Sequence, residues 1–271
     1  MVTGMSREGV PVAAGAGDQG AGALGVGVDR AGGPVSVVLG TSGVVFAALE
    51  EFAADPGARV HAFCHAVPGA WHVMGVMLSA ADSLRWLRRA TGGGASFEAL
   101  VREAASWPAG TEGLVFLPYL SGERTPHADP DARGAFVGLS VRHDRGALVR
   151  AALEGVAFGL RDSLDLVAEL GRQPVLARVS GGGAKSDLWM RILASVLELP
   201  LERVAVDEGA AYGAALLAGV AGGAWASPEK AVAACVKVRE AVEPDPAWVE
   251  PYRDALERYR ALYPALKAAS S

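Results

Sequence analysis

The longest periodic pattern in the sequence predicts a helix over residues 147–170. Val149, Leu153, Val156 and Leu160 recur at steps of three and four residues, as one apolar side of a helix requires. Short apolar runs that are typical of strands lie on both sides of it, at 35–39, 44–49, 72–77, 175–179 and 201–206. Strands that first pair locally and then alternate with helices predict an α/β fold, in which helices flank a mixed sheet.

The composition sets limits on the class of protein. The chain has 271 residues, of which 51% are hydrophobic, and this is enough for a sizeable core. Its net charge of −5 and the absence of a Lys/Arg block argue against nucleic acid as a partner. Every long apolar run is interrupted by glycine or charge, and the first residues lack the apolar core of a signal peptide. With only two distant cysteines, Cys64 and Cys235, we expect a cytoplasmic protein that does not enter a membrane.

The segment GAGDQG carries the first chemical signal. Gly15, Gly17 and Gly20 match the G-x-G-x-x-G spacing of a dinucleotide-binding turn and follow an apolar, strand-like run. That turn also requires an acidic residue about 20 positions further on, where this chain has VLGTS at 38–42. An NAD-dependent dehydrogenase is therefore a weakly supported alternative.

The Asp18-Gln19 pair inside this segment has two interpretations. Asp18 is either the cap of a helix, which the spacing alone favours, or a general base that takes a proton from a substrate hydroxyl. Gln19 offers both a donor and an acceptor, which suits a polyol.

Two further glycine-rich turns follow strands. The GTSG turn at 40–43 is either a simple hairpin or a phosphate-binding turn, because it offers backbone amides and two hydroxyls. The run SGGGAKS at 180–186 departs from the P-loop pattern, since Ala184 rather than glycine precedes Lys185. Its three glycines either allow close packing of a strand and a helix or leave bare backbone for a flat ring or a phosphate.

Two polar segments are interpreted as structural. His61, Cys64, His65 and His72 would not share one side of a strand, so we expect a packed strand pair and no metal site. The charged, proline-containing stretch 123–133 is predicted to be a solvated loop that is long enough to cover a site.

In their order along the chain, these segments resemble the FGGY family of carbohydrate kinases. The resemblance is carried by GAGDQGAGALGVG at 15–27, LGTSGVVF at 39–46, the segment at 61–86, LPYLSGERTPH at 117–127, GAFVGLSVRH at 134–143, ALEGVAFGLRD at 152–162, SGGGAKSDLW at 180–189 and EGAAYGAALLAG at 208–219. It implies an actin-like, ribonuclease H-like fold of two domains with the active site between them. The segment at 61–81 favours the members that convert D-xylulose to D-xylulose 5-phosphate with ATP and Mg²⁺.

The resemblance also implies roles for individual residues. Asp18 corresponds to the catalytic base, and Gln19 to a sugar-binding neighbour where relatives often have asparagine. The nucleotide would be held by Gly40, Thr41 and Ser42 at its phosphates and by Gly181, Gly182, Gly183 and Ser186 at its adenosine. Ala147 stands where the family has a polar residue, which predicts a weakened helix start.

The resemblance covers only the C-terminal half of such kinases. It implies that residues 1–34 are the end of the N-terminal domain or hinge, with the catalytic Asp, and that 35–271 are the nucleotide-binding domain. The chain is then either a sugar kinase that is active only with an N-terminal kinase domain, or a non-catalytic nucleotide-binding module. We expect the sugar and ATP as small-molecule partners, and either that missing domain or a second copy of the chain as a protein partner.

Overall fold

A computed structural model describes residues 9–91, 93–171, 173–206 and 208–270. The strands of the described residues are β1 (Val35–Leu39), β2 (Gly43–Leu49), β3 (His61–Cys64), β4 (Trp71–Met77), β5 (Val115–Leu117), β6 (Ala135–Val137), β7 (Ala177–Ser180), β8 (Leu201–Val204) and β9 (Val238–Val242). Seven of these form one sheet in the order β3-β4-β2-β1-β7-β8-β9, while β5 and β6 form a separate pair. β1, β7 and β8 run parallel, and the other pairings of the large sheet are antiparallel. The predicted mixed sheet is confirmed.

The two faces of this sheet are buried in different cores. In β2, Val45 and Ala47 pack into the larger core, whereas Val44, Phe46 and Ala48 pack into a smaller one. Successive side chains of a strand point to opposite faces, so a strand with apolar residues at every position must be covered on both sides.

Helices supply both covers. The helices that contribute to the larger core are α2 (Ala81–Ala90), α3 (Phe97–Ala104), α4 (Arg145–Glu169), α5 (Asp187–Leu197) and α8 (Pro246–Ser270). Those on the other face are α1 (Asp18–Gly25), α6 (Gly209–Ala221) and α7 (Pro228–Cys235). No helix in the described part of the chain is both long and apolar enough to cross a membrane.

Helix α4 confirms the longest periodic pattern and corrects one detail of it. The helix begins at Arg145, and the Asp144 carboxylate accepts a hydrogen bond from the Ala147 amide at 3.0 Å. This is the usual contact of an N-cap side chain with the third helical residue. Ala147 itself is fully buried. The prediction of a weakened helix start is therefore wrong, because Asp144 caps the helix.

Several short elements were not predicted, and one predicted strand is absent. α3, α7, β6 and β9 have no counterpart in the sequence prediction, and the side chains of β9 are mostly exposed, which removes the apolar alternation that identifies a strand. The run before Gly15 is not a strand: residues 10–17 are irregular, and Val10 and Val12 are exposed. The GAGDQG turn therefore lacks the preceding strand that a dinucleotide-binding fold requires.

The stretch 123–133 is only partly the solvated loop that was predicted. Glu123, Thr125 and Ala132 are buried, whereas Arg124 and Asp131 are exposed. The burial arises because Glu123 and Thr125 bond to the backbone of β4 and the residue that follows it. A loop of mixed composition is thus anchored to the sheet by two polar side chains.

His72 on β4 and His65, which directly follows β3, form an aromatic cluster with Phe46. His72 stacks on Phe46 with ring centroids 4.3 Å apart, and His65 meets the same ring edge-on at 5.5 Å. Both histidines are buried, and no described residue bonds to the Nδ1 of His72. Among the described residues, no group of three or more histidine, cysteine or acidic side chains could hold a metal ion.

We expect this cluster to make the fold sensitive to acid. Burial and the neighbouring His65 lower the pKa of His72 to about 4, against 6.5 in the unfolded chain. As the pH falls below 6.5, the unfolded state takes up a proton that the folded state excludes, so stability is lost. Between about pH 7 and about pH 5, this residue should remove roughly 1–2 kcal/mol from the free energy of unfolding.

Denaturant titration of the wild type and His72→Phe at the two pH values tests this expectation. Burial raises the pKa of Glu123 to about 7, so that group stabilises the fold at acid pH and opposes the trend. The difference between the two proteins removes this contribution, because both contain Glu123. An equal pH dependence of the two proteins would contradict the assignment to His72.

Candidate active site

Two loops meet where the parallel strands β1 and β7 end. The GTSG turn follows Leu39 at the end of β1, and the glycine run follows Ser180 at the end of β7. Gly181 has a φ of +92°, and a Cβ there would lie 2.8 Å from the Leu39 carbonyl oxygen. Only glycine combines that conformation with so close an approach. The structure therefore brings together the two segments that were predicted to hold a nucleotide, at the edge where open α/β sheets bind ligands.

The GTSG turn is held by the start of helix α2. The Ala80 amide donates to the Thr41 carbonyl at 2.9 Å, and the Ala81 amide donates to the Gly40 carbonyl at 2.8 Å. Thr41 is exposed at the tip of the turn, and Ser42 is half-buried. The carbonyls of Gly40 and Thr41 thus face the protein, and Thr41 at the tip of the turn lies at the surface.

The three glycines of the run do not have the same role: two allow close packing, and one leaves its backbone open. Gly181 packs against the end of β1, and a Cβ on Gly183 would lie 2.5 Å from the Leu39 side chain. Gly182 is exposed, and no atom of the described residues lies within 4 Å of its Cβ position. Gly181 and Gly183 therefore serve close packing, while Gly182 presents bare backbone to solvent.

Ser186 ends the run as the cap of α5. Its hydroxyl accepts a hydrogen bond from the Trp189 amide at 3.2 Å, and it retains its own proton as a donor. Capping is therefore compatible with contact to a ligand.

Arg203 on β8 holds the glycine run through a hydrogen bond to its backbone, a contact that sequence reasoning missed. Its guanidinium donates to the Ala184 carbonyl at 2.7 Å, to the Asp187 carboxylate at 2.8 Å and to Glu240 at 2.7 Å. The arginine is 5% exposed, and its bond to the Ala184 carbonyl is buried, whereas the Asp187 and Glu240 carboxylates are exposed to solvent. The signal that could have revealed it is the pair of charged residues, Glu202 and Arg203, between the two apolar residues of strand β8.

Asp18 lies at the start of α1, one position inside the helix. Gly17 is the N-cap residue and has no capping side chain, and the Asp18 carboxylate accepts a hydrogen bond from the Gln19 amide at 2.8 Å. Asp18 is therefore not the cap of this helix, and that interpretation is corrected. Asp18 is exposed and Gln19 half-buried. Within the described residues, no hydrogen bond or ion pair joins Asp18 to the GTSG turn or to the glycine run.

Helix α1 is nevertheless fixed firmly. A Cβ on Gly25 would lie 2.2 Å from the Gly209 carbonyl oxygen, and one on Gly213 would lie 1.7 Å from the Ala21 carbonyl oxygen. At the C-terminal end of the helix, Arg178 donates to the Val26 carbonyl at 2.9 Å. α1 therefore lies backbone to backbone on α6, and its first residue is placed by that contact.

A magnesium ion would not find a complete set of ligands here. Mg²⁺ is usually held by one or two carboxylates together with phosphate oxygens and water. At the candidate site, Asp18 offers one exposed carboxylate, and the described residues contain no cluster of metal-ligating side chains. The residues present do not build a magnesium site by themselves.

Comparisons with known proteins agree with this geometry. The model of the FGGY family of carbohydrate kinases, C-terminal domain, matches residues 35–222. The chain is 43% identical to the xylulose kinase of Escherichia coli over 261 residues, which are 95% of this chain and 53% of that protein. It is 32% identical to the gluconokinase of Bacillus subtilis over 197 residues, which are 68% of this chain and 38% of that protein.

A solved structure extends the similarity to the fold. The xylulose kinase of Rhodospirillum rubrum superimposes with a TM-score of 0.83 at 37% identity, over 94% of this chain and 51% of that one. The predicted actin-like fold is confirmed, and the chain spans about half the length of the curated xylulose kinases that it matches. This chain belongs to the FGGY family of carbohydrate kinases.

Proposed function

We propose that this chain is the nucleotide-binding part of an ATP-dependent sugar kinase that phosphorylates the ketopentose D-xylulose. The observation that carries the proposal is the meeting of the GTSG turn and the glycine run at the ends of β1 and β7, with Gly182 open to solvent. The similarity to xylulose kinases over nearly the whole chain supports the choice of sugar. Residues 35–271 would form the nucleotide-binding domain, and residues 1–34 the end of the preceding domain or hinge.

Separate segments of the chain would bind the phosphates, the adenosine and the sugar. Gly40, Thr41 and Ser42 would bind nucleotide phosphates through backbone amides and hydroxyls. The glycine run and Ser186 would hold the adenosine. Asp18 would orient the sugar hydroxyl and take its proton, with Gln19 as a further sugar contact. Mg²⁺ accompanies ATP in this proposal, with ligands from the phosphates and from outside the described residues.

A coupled kinase assay with D-xylulose tests the proposal. The chain is assayed alone and after mixing with the N-terminal half of a similar xylulose kinase. Phosphoryl transfer depends mainly on positioning and on electrostatic stabilisation of the aligned groups. We therefore expect turnover only in the mixture. The same assay with D-gluconate tests the choice of sugar, because turnover with D-gluconate but not with D-xylulose would contradict it.

The chain's length relative to its relatives favours one other candidate function. The chain spans about half the length of the curated xylulose kinases that it matches. The second candidate function is therefore a nucleotide-binding module without catalysis. ADP binding without turnover, alone or in the mixture, would support this second candidate. Sedimentation of the chain with and without the added half would show whether its partner is that domain or a second copy.

Gly182→Ala is expected to weaken ADP binding by about tenfold without loss of stability. The Cβ would meet no protein atom, so the fold tolerates it. It would, however, fill the space beside the Gly182 backbone in which the adenosine is proposed to lie. Calorimetric titration with ADP measures the effect. Gly22→Ala, where the nearest atom is 3.7 Å away on α6, is the matched control and should bind ADP as the wild type does. Unchanged affinity of Gly182→Ala would remove the glycine run from the nucleotide site.

A further inference from the structure

The segment from Glu123 to Thr125 runs along the end of β4 and bonds to it repeatedly. The Thr125 amide donates to the Val76 carbonyl at 3.0 Å, and the Val76 amide donates to the Thr125 hydroxyl at 2.9 Å. One step further on, the Leu78 amide donates to Oε1 of Glu123 at 2.9 Å. The loop therefore fixes the backbone at the point where β4 ends.

From Leu78, the chain leads directly to the amides at the start of α2 that hold the GTSG turn. Ala80 and Ala81 follow within three residues, and their amides hold the Thr41 and Gly40 carbonyls at 2.9 and 2.8 Å. The Glu123 carboxyl is thus connected to the turn through its hydrogen bond with Leu78, the short backbone stretch that follows, and the hydrogen bonds of the Ala80 and Ala81 amides.

Glu123 is buried to a degree that is uncommon for an acidic side chain. It is 2% exposed, its Oε1 also accepts from the Arg124 amide at 2.7 Å, and its Oε2 has no partner among the described residues. Burial raises its pKa to about 7, and the Arg124 and Leu78 amides limit the rise. The charge of Arg124 on the same loop also limits the rise, and burial together with the Glu123 carboxylate in turn raises the pKa of Tyr119, after β5, and of Tyr259, on α8. Burying a carboxyl with one oxygen unpaired costs free energy, which indicates that the fold needs its contact with the Leu78 amide.

We propose that Glu123 is a positioning residue for the GTSG turn: by holding Leu78, it sets where the Ala80 and Ala81 amides place the phosphate-binding backbone. The inference rests on the proposed function in one respect, the assignment of that turn to nucleotide phosphates. It goes beyond that function because Glu123 contacts neither nucleotide nor sugar in this scheme.

Nucleotide affinities of three variants test the proposal. Glu123→Ala removes the acceptor, whereas Glu123→Gln keeps an oxygen at the same position. Glu123→Ala should weaken ADP binding at least tenfold and leave adenosine binding within twofold, because adenosine does not need the turn. Glu123→Gln should restore ADP affinity. Ser195→Ala, which removes a buried hydroxyl that bonds to the Arg191 carbonyl and the Asp245 amide, controls for a general loss of stability and should change neither affinity.

An equal loss for ADP and adenosine, or a Gln variant as weak as the Ala variant, would overturn the proposal. If Glu123→Ala does not fold, Glu123→Asp replaces it, since aspartate retracts the acceptor by one methylene.

Hydrogen exchange separates a failure of this inference from a failure of the proposed function. The exchange rates of the Ala80 and Ala81 amides report the bonds to the turn without any nucleotide. Faster exchange of these amides in Glu123→Ala, but not in Glu123→Gln or Ser195→Ala, supports the positioning role even if the wild type binds no nucleotide. Unchanged exchange at both amides in Glu123→Ala would overturn it.

Discussion

Asp18→Asn is expected to lower the rate of sugar phosphorylation by about 10²–10⁴-fold, the usual contribution of a general base. Asparagine has the same shape but cannot take a proton at neutral pH. It can also keep the hydrogen bond from the Gln19 amide, so the start of α1 should be preserved. The coupled assay with D-xylulose measures the rate, in the mixture with an N-terminal half if the chain alone shows no turnover. ADP affinity should stay within about twofold, because the proposed nucleotide contacts lie on other segments.

The control for this variant is Glu98→Gln. Glu98 is also an exposed acid in the first turn of a helix, α3, and the change removes the same charge. Glu98→Gln should leave the rate unchanged, which excludes a general effect of charge at helix starts. A rate for Asp18→Asn above about one tenth of the wild type would place the general base elsewhere.

The sequence predicted the central elements of the fold because their signals are strong. β1, β2 and β4 are mainly apolar runs, and α4 repeats apolar residues along its 25 positions. A strand buried on both faces and a helix buried along most of its length have few alternatives. The short elements were missed for the opposite reason: β9 is an exposed edge, and α7 has only eight residues.

The candidate site was predicted in part. The GTSG turn and the glycine run could be located because glycines after a strand have few structural explanations. The sequence could not show which of the three glycines packs against the sheet and which is open to solvent. Gly181 and Gly183 pack against β1, and only Gly182 is open, a difference that depends on tertiary contacts.

Buried charges were the residues that sequence reasoning could not place. Glu123 lies in a stretch with several charges, and its burial depends on β4, whose position is set by residues far away along the chain. Arg203 is similar, since its partners Ala184 and Glu240 come from other elements. Charged residues are mostly exposed in proteins, so the prediction of a solvated loop followed the general tendency and missed the exception.

Gly213→Ala is expected to lower the rate of phosphorylation by about 10²-fold through displacement of α1. The new Cβ would lie 1.7 Å from the Ala21 carbonyl oxygen, far inside contact distance, and the atom it meets is backbone. No side chain can rotate away, so α1 must move relative to α6, and Asp18 at its start moves with it. We also expect a loss of about 1–3 kcal/mol in the free energy of unfolding, as is usual for overpacking. The coupled assay and denaturant titration measure the two effects.

Gly22→Ala in the same interface is the matched control. Its Cβ would lie 3.7 Å from the Ala210 amide nitrogen, an ordinary contact, and alanine favours the helix over glycine. This variant should keep the wild-type rate and be slightly more stable. ADP affinity of Gly213→Ala should stay near the wild type, since the proposed nucleotide contacts lie on the turn and the glycine run. If Gly213→Ala loses ADP binding and activity together, the contact between α1 and α6 supports the whole fold and not the placement of Asp18 alone.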